Sequence, residues 1–196
     1  WVDVRGRRVL DVGPATGHLG FYMEGQGAEV TAFDVAPGMV QNLLPQAGSD
    51  LDANQASGAA FAEQVRNSWW LGRRRHGSRA RAVYGDIEAL PADMGRYDIA
   101  FLCSILLHLA NPFAALRQVA AVADRGVVVT DVAPPLLYGG EAGAVVEFNP
   151  GEEPGNLVNW WGLSPGAVAR MLRVLGFART TVRFHEIRFH RDHDPA

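Results

Sequence analysis

The stretch from Val9 to Asp34 constrains the fold of this chain more than any other part of the sequence. It reads as a short apolar strand, a turn with two glycines, a short helix, a second strand and an acidic residue. In order, these parts are Val9–Val12, Gly13–Gly17, Leu19–Gln26, Val30–Phe33 and Asp34. The arrangement is the usual build of a site for a cofactor that carries a nucleoside.

Each part of this unit has a physical role at such a site. A glycine turn lets the backbone approach a ligand without a Cβ in the way. A helix N-terminus supplies free N–H groups and partial positive charge. An acid at the tip of the next strand accepts both hydroxyls of a ribose, and Asp34 lies 17 positions after Gly17, close to the roughly 20 expected.

The spacing of the turn argues against a dinucleotide. The sequence has D-x-G-x-x-x-G, in which Asp11 is the last polar residue of the first strand, instead of G-x-G-x-x-G. A pyrophosphate favours a third glycine and no nearby carboxylate, whereas a ligand with an amino group would interact well with Asp11. S-adenosylmethionine (SAM) has a ribose, an adenine and a cationic amino-acid tail, and is such a ligand.

Four motifs in sequence order resemble those of the class I SAM-dependent methyltransferases. Val9 to Gly17 resembles the first motif, with Ala15 after Pro14 where the family usually has its middle glycine. The later motifs are the ribose acid Asp34, the adenine-contacting Gly85-Asp86-Ile87, and the fourth strand Tyr97–Ser104 with its sequel Leu106-Leu107-His108-Leu109 and Pro112. The resemblance covers about 100 residues.

The resemblance implies an α/β, Rossmann-like fold in which helices flank a mostly parallel sheet. It also implies SAM as the cofactor and S-adenosylhomocysteine (SAH) as the product. The cofactor-binding residues that it indicates are Asp11, Gly13, Pro14, Ala15, Gly17, Asp34, Val35, Met39, Gly85, Asp86, Ile87, Cys103 and Ser104.

Two residues on the expected substrate side are candidates for catalysis. His108 follows the fourth strand, and a histidine near this position acts as a base in some members of the family and is structural in many others. Asp131 is at the tip of the predicted fifth strand, Gly126–Asp131, where it would either orient a substrate hydroxyl or amine or cap the next turn. A general base needs reach to the substrate proton and a pKa near the working pH, and the sequence shows neither.

The rest of the chain is expected to form a single domain, 1–196, with two insertions over the substrate side, 46–80 and 132–161. Pro37 predicts a short helix over Met39–Leu44. In the first insertion a helix is predicted over Ala53–Leu71, with Phe61, Val65 and Trp69 on one face. Further predictions are helices at Pro112–Ala123 and Ala167–Leu175 and a final strand region at Thr180–Phe189.

Composition restricts the class of protein. Apolar residues make up 48% and charged residues 20% of the 196 residues, which indicates a globular chain. The net charge of −3 argues against a surface that coats nucleic acid generally. The chain has one cysteine, no apolar run of the ~18 residues that span a bilayer, and no signal-peptide pattern. These features favour a cytoplasmic protein. The chain begins at Trp1, which leaves room for a preceding segment.

Two clusters have competing interpretations. The run Arg73-Arg74-Arg75-His76 with Arg79 and Arg81 is typical of a solvated helix end, and the alternative is a phosphate or RNA site. The histidines His185, His190 and His193 with Asp192 and Asp194 suggest a metal, but tails of mixed charge are commoner and no metal is predicted.

The function expected from these features is SAM-dependent methylation of an oxygen or nitrogen of a small polar metabolite. The stretch from Asn159-Trp160-Trp161 to Gly176-Phe177 resembles bacterial methyltransferases related to the tRNA wobble-uridine carboxymethyl-transfer enzymes. An enzyme that modifies tRNA is therefore one alternative, with tRNA as a partner. The others are an enzyme that cleaves or cyclises SAM and a non-catalytic SAM-binding module.

Overall fold

The computed structural model describes residues 2–39, 42–132, 143–150 and 157–185. Within them the chain alternates strands and helices. The elements are β1 (Arg8–Val12), α1 (His18–Gly25), β2 (Glu29–Val35), α2 (Leu51–Arg75), β3 (Arg81–Gly85), β4 (Tyr97–Cys103), a 3₁₀ turn (Leu106–His108), α3 (Pro112–Val122), β5 (Ala123–Thr130), β6 (Val146–Phe148), β7 (Trp161–Leu163) and α4 (Pro165–Val174).

Five strands form one parallel sheet in the order β3-β2-β1-β4-β5. The chain runs outward from β1 to β3, then crosses to the other side of β1 to form β4 and β5. The loops after β1 and β4 therefore diverge at the carboxyl edge of the sheet. Open α/β sheets bind ligands at such a switch point, so the topology itself indicates where the site lies. The expected Rossmann-like α/β fold is confirmed.

The two faces of the sheet are covered by different helices. Val9 and Val30 pack with Met23 of α1 and Trp69 of α2 on one face. On the other face the strands pack against α3 and α4. The buried residues there include Leu10, Val12, Phe33, Leu102, Leu116, Val119 and Leu172. Strand residues are buried on both faces because parallel strands are covered on both sides.

The predicted helix in the first insertion is confirmed, and it is longer than expected. It begins after Asp50, whose carboxylate accepts a hydrogen bond from Ala53 N at 3.0 Å, and it continues to Arg75. Of the three residues predicted to share one face, Trp69 is buried and Phe61 is 62% exposed, so burial along that face is confined to its C-terminal end. Only the C-terminal part of α2 packs on the sheet; the earlier turns extend beyond it.

The short helix predicted over Met39–Leu44 is wrong. Residues 42–46 have no regular structure, and residues 40–41 lie outside the described chain. Leu44 N donates to Leu157 O at 2.8 Å, and the indole of Trp160 donates to Asn42 O at 2.6 Å. These groups bond to a distant segment instead of to a helical turn, and Pro45 disfavours helical backbone at the residue before it.

The C-terminal part of the chain departs from the expected strand. Residues 178–185 contain no strand, and the rest of the predicted region, 186–189, lies outside the described residues. The antiparallel pair that does form joins β6 to β7, apart from the main sheet. The predicted helices at Pro112 and after Ser164 are confirmed, and Ser164 caps α4 through Ala167 N at 3.1 Å.

None of the helices in the described part of the chain has the length and apolar character that a bilayer crossing requires.

Candidate functional site

A cavity opens at the carboxyl edge of the sheet, beside the switch point. Its empty volume is about 690 Å³, counting the part that is open to solvent, and small-molecule sites commonly measure about 300–1,000 Å³. The lining residues come from the ends of β1, β2 and β3 and from the loop after β4. They are Val12, Gly13, Phe33, Asp34, Val35, Met39, Asn42, Gly85, Asp86, Ile87, Ile105, His108 and Leu109.

The glycine turn forms one wall of this cavity. Gly13 has a φ of +64°, and a Cβ there would lie 2.0 Å from Ile105 Cδ1. Gly17 has a φ of +88°, and its Cβ would lie 2.5 Å from the Phe21 ring. Both positions therefore require glycine for conformation and for space. Ala15, between them, keeps a left-handed φ of +48° although it has a Cβ.

Asp11 lies behind the turn and outside the lining. Its side chain is 2% exposed, and its Oδ2 has no hydrogen-bond partner among the described residues. A Cβ on Gly20 would come within 2.9 Å of that oxygen, so Asp11 sits close under α1. Burial, with a smaller contribution from the charge of Asp34, raises the pKa of Asp11 to about 6.

Asp34 lies at the cavity, near the end of β2. Its Oδ1 accepts a hydrogen bond from Val35 N at 2.8 Å. Burial raises the pKa of Asp34, while the Val35 N–H and the positive charge of Arg66 oppose that rise. Asp34 also borders a smaller cleft with an empty volume of about 200 Å³ between the sheet and α2. That cleft is lined by Pro14, Ala32, Asp34, Arg66, Trp69, Ala82 and Tyr84.

The segment after β3 forms another wall of the cavity. Asp86 accepts a hydrogen bond from Glu88 N at 2.8 Å, which closes a local turn. No helix follows in residues 86–96, so Asp86 does not cap one. A Cβ on Gly85 would lie 3.3 Å from the Phe33 ring, which leaves little room for another residue there.

Cys103 and Ser104 end β4 next to the switch point but are not part of the cavity lining. Burial raises the pKa of the Cys103 thiol; a hydrogen bond with Thr130 opposes this and the charge of Asp11 adds to it. Ser104 has a φ of +55° and its N–H donates to Thr130 O at 2.8 Å. The left-handed turn at Ser104 directs the chain from β4 towards Ile105, which does line the cavity.

His108 and Asp131 lie near each other on the substrate side. His108 Nδ1 is 2.9 Å from Val158 O. Because a carbonyl only accepts, Nδ1 carries the hydrogen and the lone pair of the neutral ring is on Nε2. Asp131 accepts from Val132 N at 2.8 Å, and its buried Oδ2 has no partner among the described residues. Burial raises the pKa of Asp131, and the Val132 N–H, the charge of His108 and the Leu107 N–H oppose this rise.

Several lining residues did not follow from the sequence. Asn42 and Ile105 line the cavity because their loops meet at the switch point, and Arg66 faces Asp34 from the middle of α2. No local pattern marks these three residues, since their roles depend on contacts between distant segments. Val12 and Phe33 also line the cavity. The sequence could indicate these two residues because they are the last apolar residues of the two predicted strands.

The described part of the chain holds no group of three or more histidine, cysteine, aspartate or glutamate side chains that would bind a metal. Four of the five tail residues considered for a metal, His190, Asp192, His193 and Asp194, lie outside the described residues.

Comparisons with known proteins agree with this geometry. A family described as "Methyltransferase domain" matches residues 2–179. Among solved structures, magnesium protoporphyrin IX methyltransferase from Synechocystis PCC 6803 with bound SAM is 17% identical, with 96% of this chain and 67% of that chain covered and a TM-score of 0.56. The 1,6-didemethyltoxoflavin-N1-methyltransferase of Burkholderia thailandensis is 19% identical, with 87% and 60% covered and a TM-score of 0.56.

This chain spans less than half the length of two other proteins that it matches. The chain spans 41% of the PH0226 protein from Pyrococcus horikoshii OT3 and 46% of a putative methyltransferase from Bacillus halodurans C-125. No curated protein is similar enough to match. The structural likenesses support the fold, and the family match covers nearly the whole chain. The chain therefore belongs to the methyltransferase-domain family, and the expected class I methyltransferase fold is confirmed.

Proposed function

We propose that this chain transfers the methyl group of SAM to an oxygen or nitrogen of a small polar molecule, with His108 as the general base. The observation that carries the proposal is the single cavity at the switch point. It brings together a glycine turn (Gly13), a carboxylate at the end of β2 (Asp34), an acidic turn after β3 (Asp86) and a histidine (His108). These groups come from separate segments of the sequence.

The nucleoside half of SAM fits the part of the cavity between β2 and β3. Asp34 would accept the ribose hydroxyls, because one of its oxygens remains after the bond to Val35 N. Asp86 would accept from the adenine amine through the oxygen that Glu88 N does not use. Val35, Met39 and Ile87 would supply apolar contacts to the adenine ring.

The methionine half fits the glycine turn. Gly13 brings the backbone to the cavity wall without a Cβ, and Pro14, Ala15 and Gly17 complete the turn before α1. Asp11, behind the turn, carries an unpaired buried oxygen that an ammonium group would compensate electrostatically. Cys103 and Ser104 would support this wall from behind.

When bound, SAM supplies an electrophilic methyl group on a sulfonium. The protein then contributes mainly alignment, and holding two reactants in the right geometry can lower a barrier by ~7–11 kcal/mol. His108 lines the cavity with Nδ1 bonded to Val158 O, so its Nε2 lone pair is available to take a proton from an acceptor hydroxyl or amine. Asp131, whose carboxylate lies near that ring, would stabilise the imidazolium that forms.

The insertion 132–161 would supply the acceptor side. Its described end bonds directly to the loop that carries His108. Trp160 N donates to Leu107 O at 2.8 Å, and the Trp161 indole donates to Leu109 O at 3.0 Å. The insertion 46–80 would cover the cofactor, since α2 borders the cleft next to Asp34.

The contacts of Arg73, a member of the basic cluster, favour a small acceptor over tRNA. Arg73 donates from Nε to Ala80 O at 2.8 Å, and its guanidinium lies 5.5 Å from the Trp70 ring. This residue thus ties the end of α2 to β3, which is the structural interpretation of the cluster. The names of the two similar methyltransferases also refer to small molecules, a magnesium porphyrin and a toxoflavin precursor.

Calorimetric titration with SAH is the direct test, with Asp34→Ala and the isosteric Asp34→Asn beside the native chain. We expect binding to the native chain and a large loss in both variants, since neither keeps a carboxylate. A folded native chain that does not bind SAH would refute the proposal.

The acceptor is then tested with methyl-labelled SAM, a panel of small hydroxyl and amine compounds, and tRNA. Label transfer to a compound that His108→Gln abolishes would support the proposed base. Salt-dependent tRNA methylation lost in an Arg73→Ala/Arg74→Ala variant would favour the tRNA alternative. Release of methylthioadenosine without any acceptor would indicate cleavage or cyclisation of SAM.

A further inference from the structure

We propose that Arg66, in the middle of α2, is a positioning residue that keeps Asp34 ionised so that it can accept the ribose hydroxyls of the cofactor. This inference rests on the proposed function. It adds a residue from the first insertion, which the four sequence motifs do not include. It also gives α2 a role beyond covering the sheet.

Arg66 and Asp34 border the same small cleft between α2 and the edge of the sheet. The Nε of Arg66 is buried and has no hydrogen-bond partner among the described residues. Arg66 also forms no ion pair at contact distance with any other described residue. Buried polar atoms are normally paired, so the open Nε donor of the half-buried Arg66, in the cleft that Asp34 also borders, points to a role in binding.

Aromatic contacts hold Arg66 in this place. Its guanidinium lies 5.4 Å from the centre of the Tyr84 ring. Tyr84 is opposite Asp34 in the register of β2 and β3, and its hydroxyl accepts a hydrogen bond from the Trp70 indole at 3.0 Å. The positive charge is therefore fixed over the strand pair that carries Asp34. Because the aromatic face does not neutralise the cation, its field still acts on the carboxylate.

Asp34 needs such a charge because its surroundings favour the neutral acid. Burial raises its pKa, and the Val35 N–H and then Arg66 oppose that rise. A protonated Asp34 would have to donate one hydrogen and would accept the ribose diol less well. Two carboxylates and two other titratable side chains also face this region from the neighbouring elements. They are Asp11 on β1, Asp86 after β3, Tyr84 on β3 and His108 after β4.

The test measures SAH affinity against pH, from pH 5.5 to 8, in four chains. Arg66→Met removes the charge and keeps most of the side-chain length, and Arg66→Lys keeps the charge. Arg74→Gln removes an exposed arginine from the last turn of the same helix and is the matched control. Thermal unfolding of each variant reports any change in folding.

We expect Arg66→Met to bind SAH about tenfold more weakly than the native chain, the effect of losing one nearby opposite charge. The loss should be larger at the acidic end of the pH range than at its basic end, because losing the charge of Arg66 raises the pKa of Asp34 further. Arg66→Lys should recover most of the affinity, and Arg74→Gln should match the native chain at every pH.

Two results would overturn the inference. If Arg66→Met loses affinity by the same factor at all pH values and Arg66→Lys does not recover it, Arg66 acts through packing and not through charge. If Arg66→Met binds like the native chain throughout, the residue has no role in binding. Failure of the native chain itself to bind SAH would refute the proposed function and this inference together, which separates that case from the first two.

Discussion

The glycine at position 13 gives the sharpest test of how the site is built. Replacing Gly13 by alanine adds one methyl group and changes no charge. Two separate penalties follow, because Gly13 has a φ of +64° and because its Cβ would lie 2.0 Å from Ile105 Cδ1 and 3.0 Å from Ile105 Cγ1. The first concerns the backbone, and the second concerns the wall of the cavity.

The size of each penalty follows from the structure. A left-handed backbone costs a residue with a Cβ about 1–2 kcal/mol. The overlap forces Ile105 into another rotamer, and such overpacking typically costs about 1–3 kcal/mol. We therefore expect Gly13→Ala to lower the free energy of unfolding by about 3 kcal/mol, which corresponds to about 6–12 °C in Tm for a chain of this size. Since Ile105 lines the cavity, SAH affinity should fall as well.

The assay is thermal unfolding with SAH titration, and the chain contains a matched control. Gly6 has a φ of +66° with nothing within 4 Å of an added Cβ, so Gly6→Ala carries the backbone penalty alone. Adding Ile105→Val to Gly13→Ala removes Cδ1, the atom in the closest contact, and should recover part of the loss. If Gly13→Ala and Gly6→Ala lose the same stability and both bind SAH normally, the argument about the cavity wall is wrong.

Three further predictions concern other residues. Burial raises the pKa of Asp11 from 3.8 to about 6, so the carboxyl group of Asp11 holds its proton more tightly in the folded chain than in the unfolded chain. The free energy of unfolding should therefore fall by about 3 kcal/mol as pH rises from about 4 to about 6. Asp11→Asn should abolish that fall in pH-dependent denaturation. Ala15→Gly should remove the strain of the left-handed φ of +48° and raise the free energy of unfolding by about 0.5 kcal/mol. The gain is small because the flexibility of glycine in the unfolded chain offsets part of it. A fall in the free energy of unfolding of about 0.5 kcal/mol or more, measured by urea denaturation, would contradict this. Ser164→Ala removes the acceptor for Ala167 N and Val145 N and should cost about 2 kcal/mol in the same assay, whereas Ser164→Thr, which keeps the hydroxyl, should cost much less.

Much of the site was predictable because its signals are local. A strand that carries Asp11 and a glycine turn define the first wall within nine residues, and the acid after the next predicted strand defines the second. The helix at Pro112 and the one after Ser164 were predictable for the same reason, since Pro and Ser mark the first turns. Such features depend on neighbouring residues alone, so one sequence is sufficient to find them.

The errors occur where distant segments decide the structure. The predicted helix before Pro45 is replaced by bonds from Asn42 and Leu44 to residues 157–160, which are more than 100 positions away. Phe61 fits a helical face by spacing, but it is exposed, and Trp69 is the residue of α2 that is buried with the sheet residues. Arg66 carries no motif at all, and its relation to Asp34 depends on how α2 crosses the sheet.

The unpaired polar atoms connect the stability of this chain to its function. Buried groups without partners are rare in folded proteins because each one costs free energy. Here Asp11 Oδ2 lies behind the glycine turn, Arg66 Nε lies beside Asp34, and Asp131 Oδ2 lies near His108. The three atoms belong to different elements, and each lies beside a residue that lines the cavity at the switch point, namely Val12, Asp34 or His108. A chain selected for stability alone would replace Asp11 with an apolar or hydrogen-bonded residue, so we propose that these groups are kept for the cofactor, whose amino-acid tail is cationic.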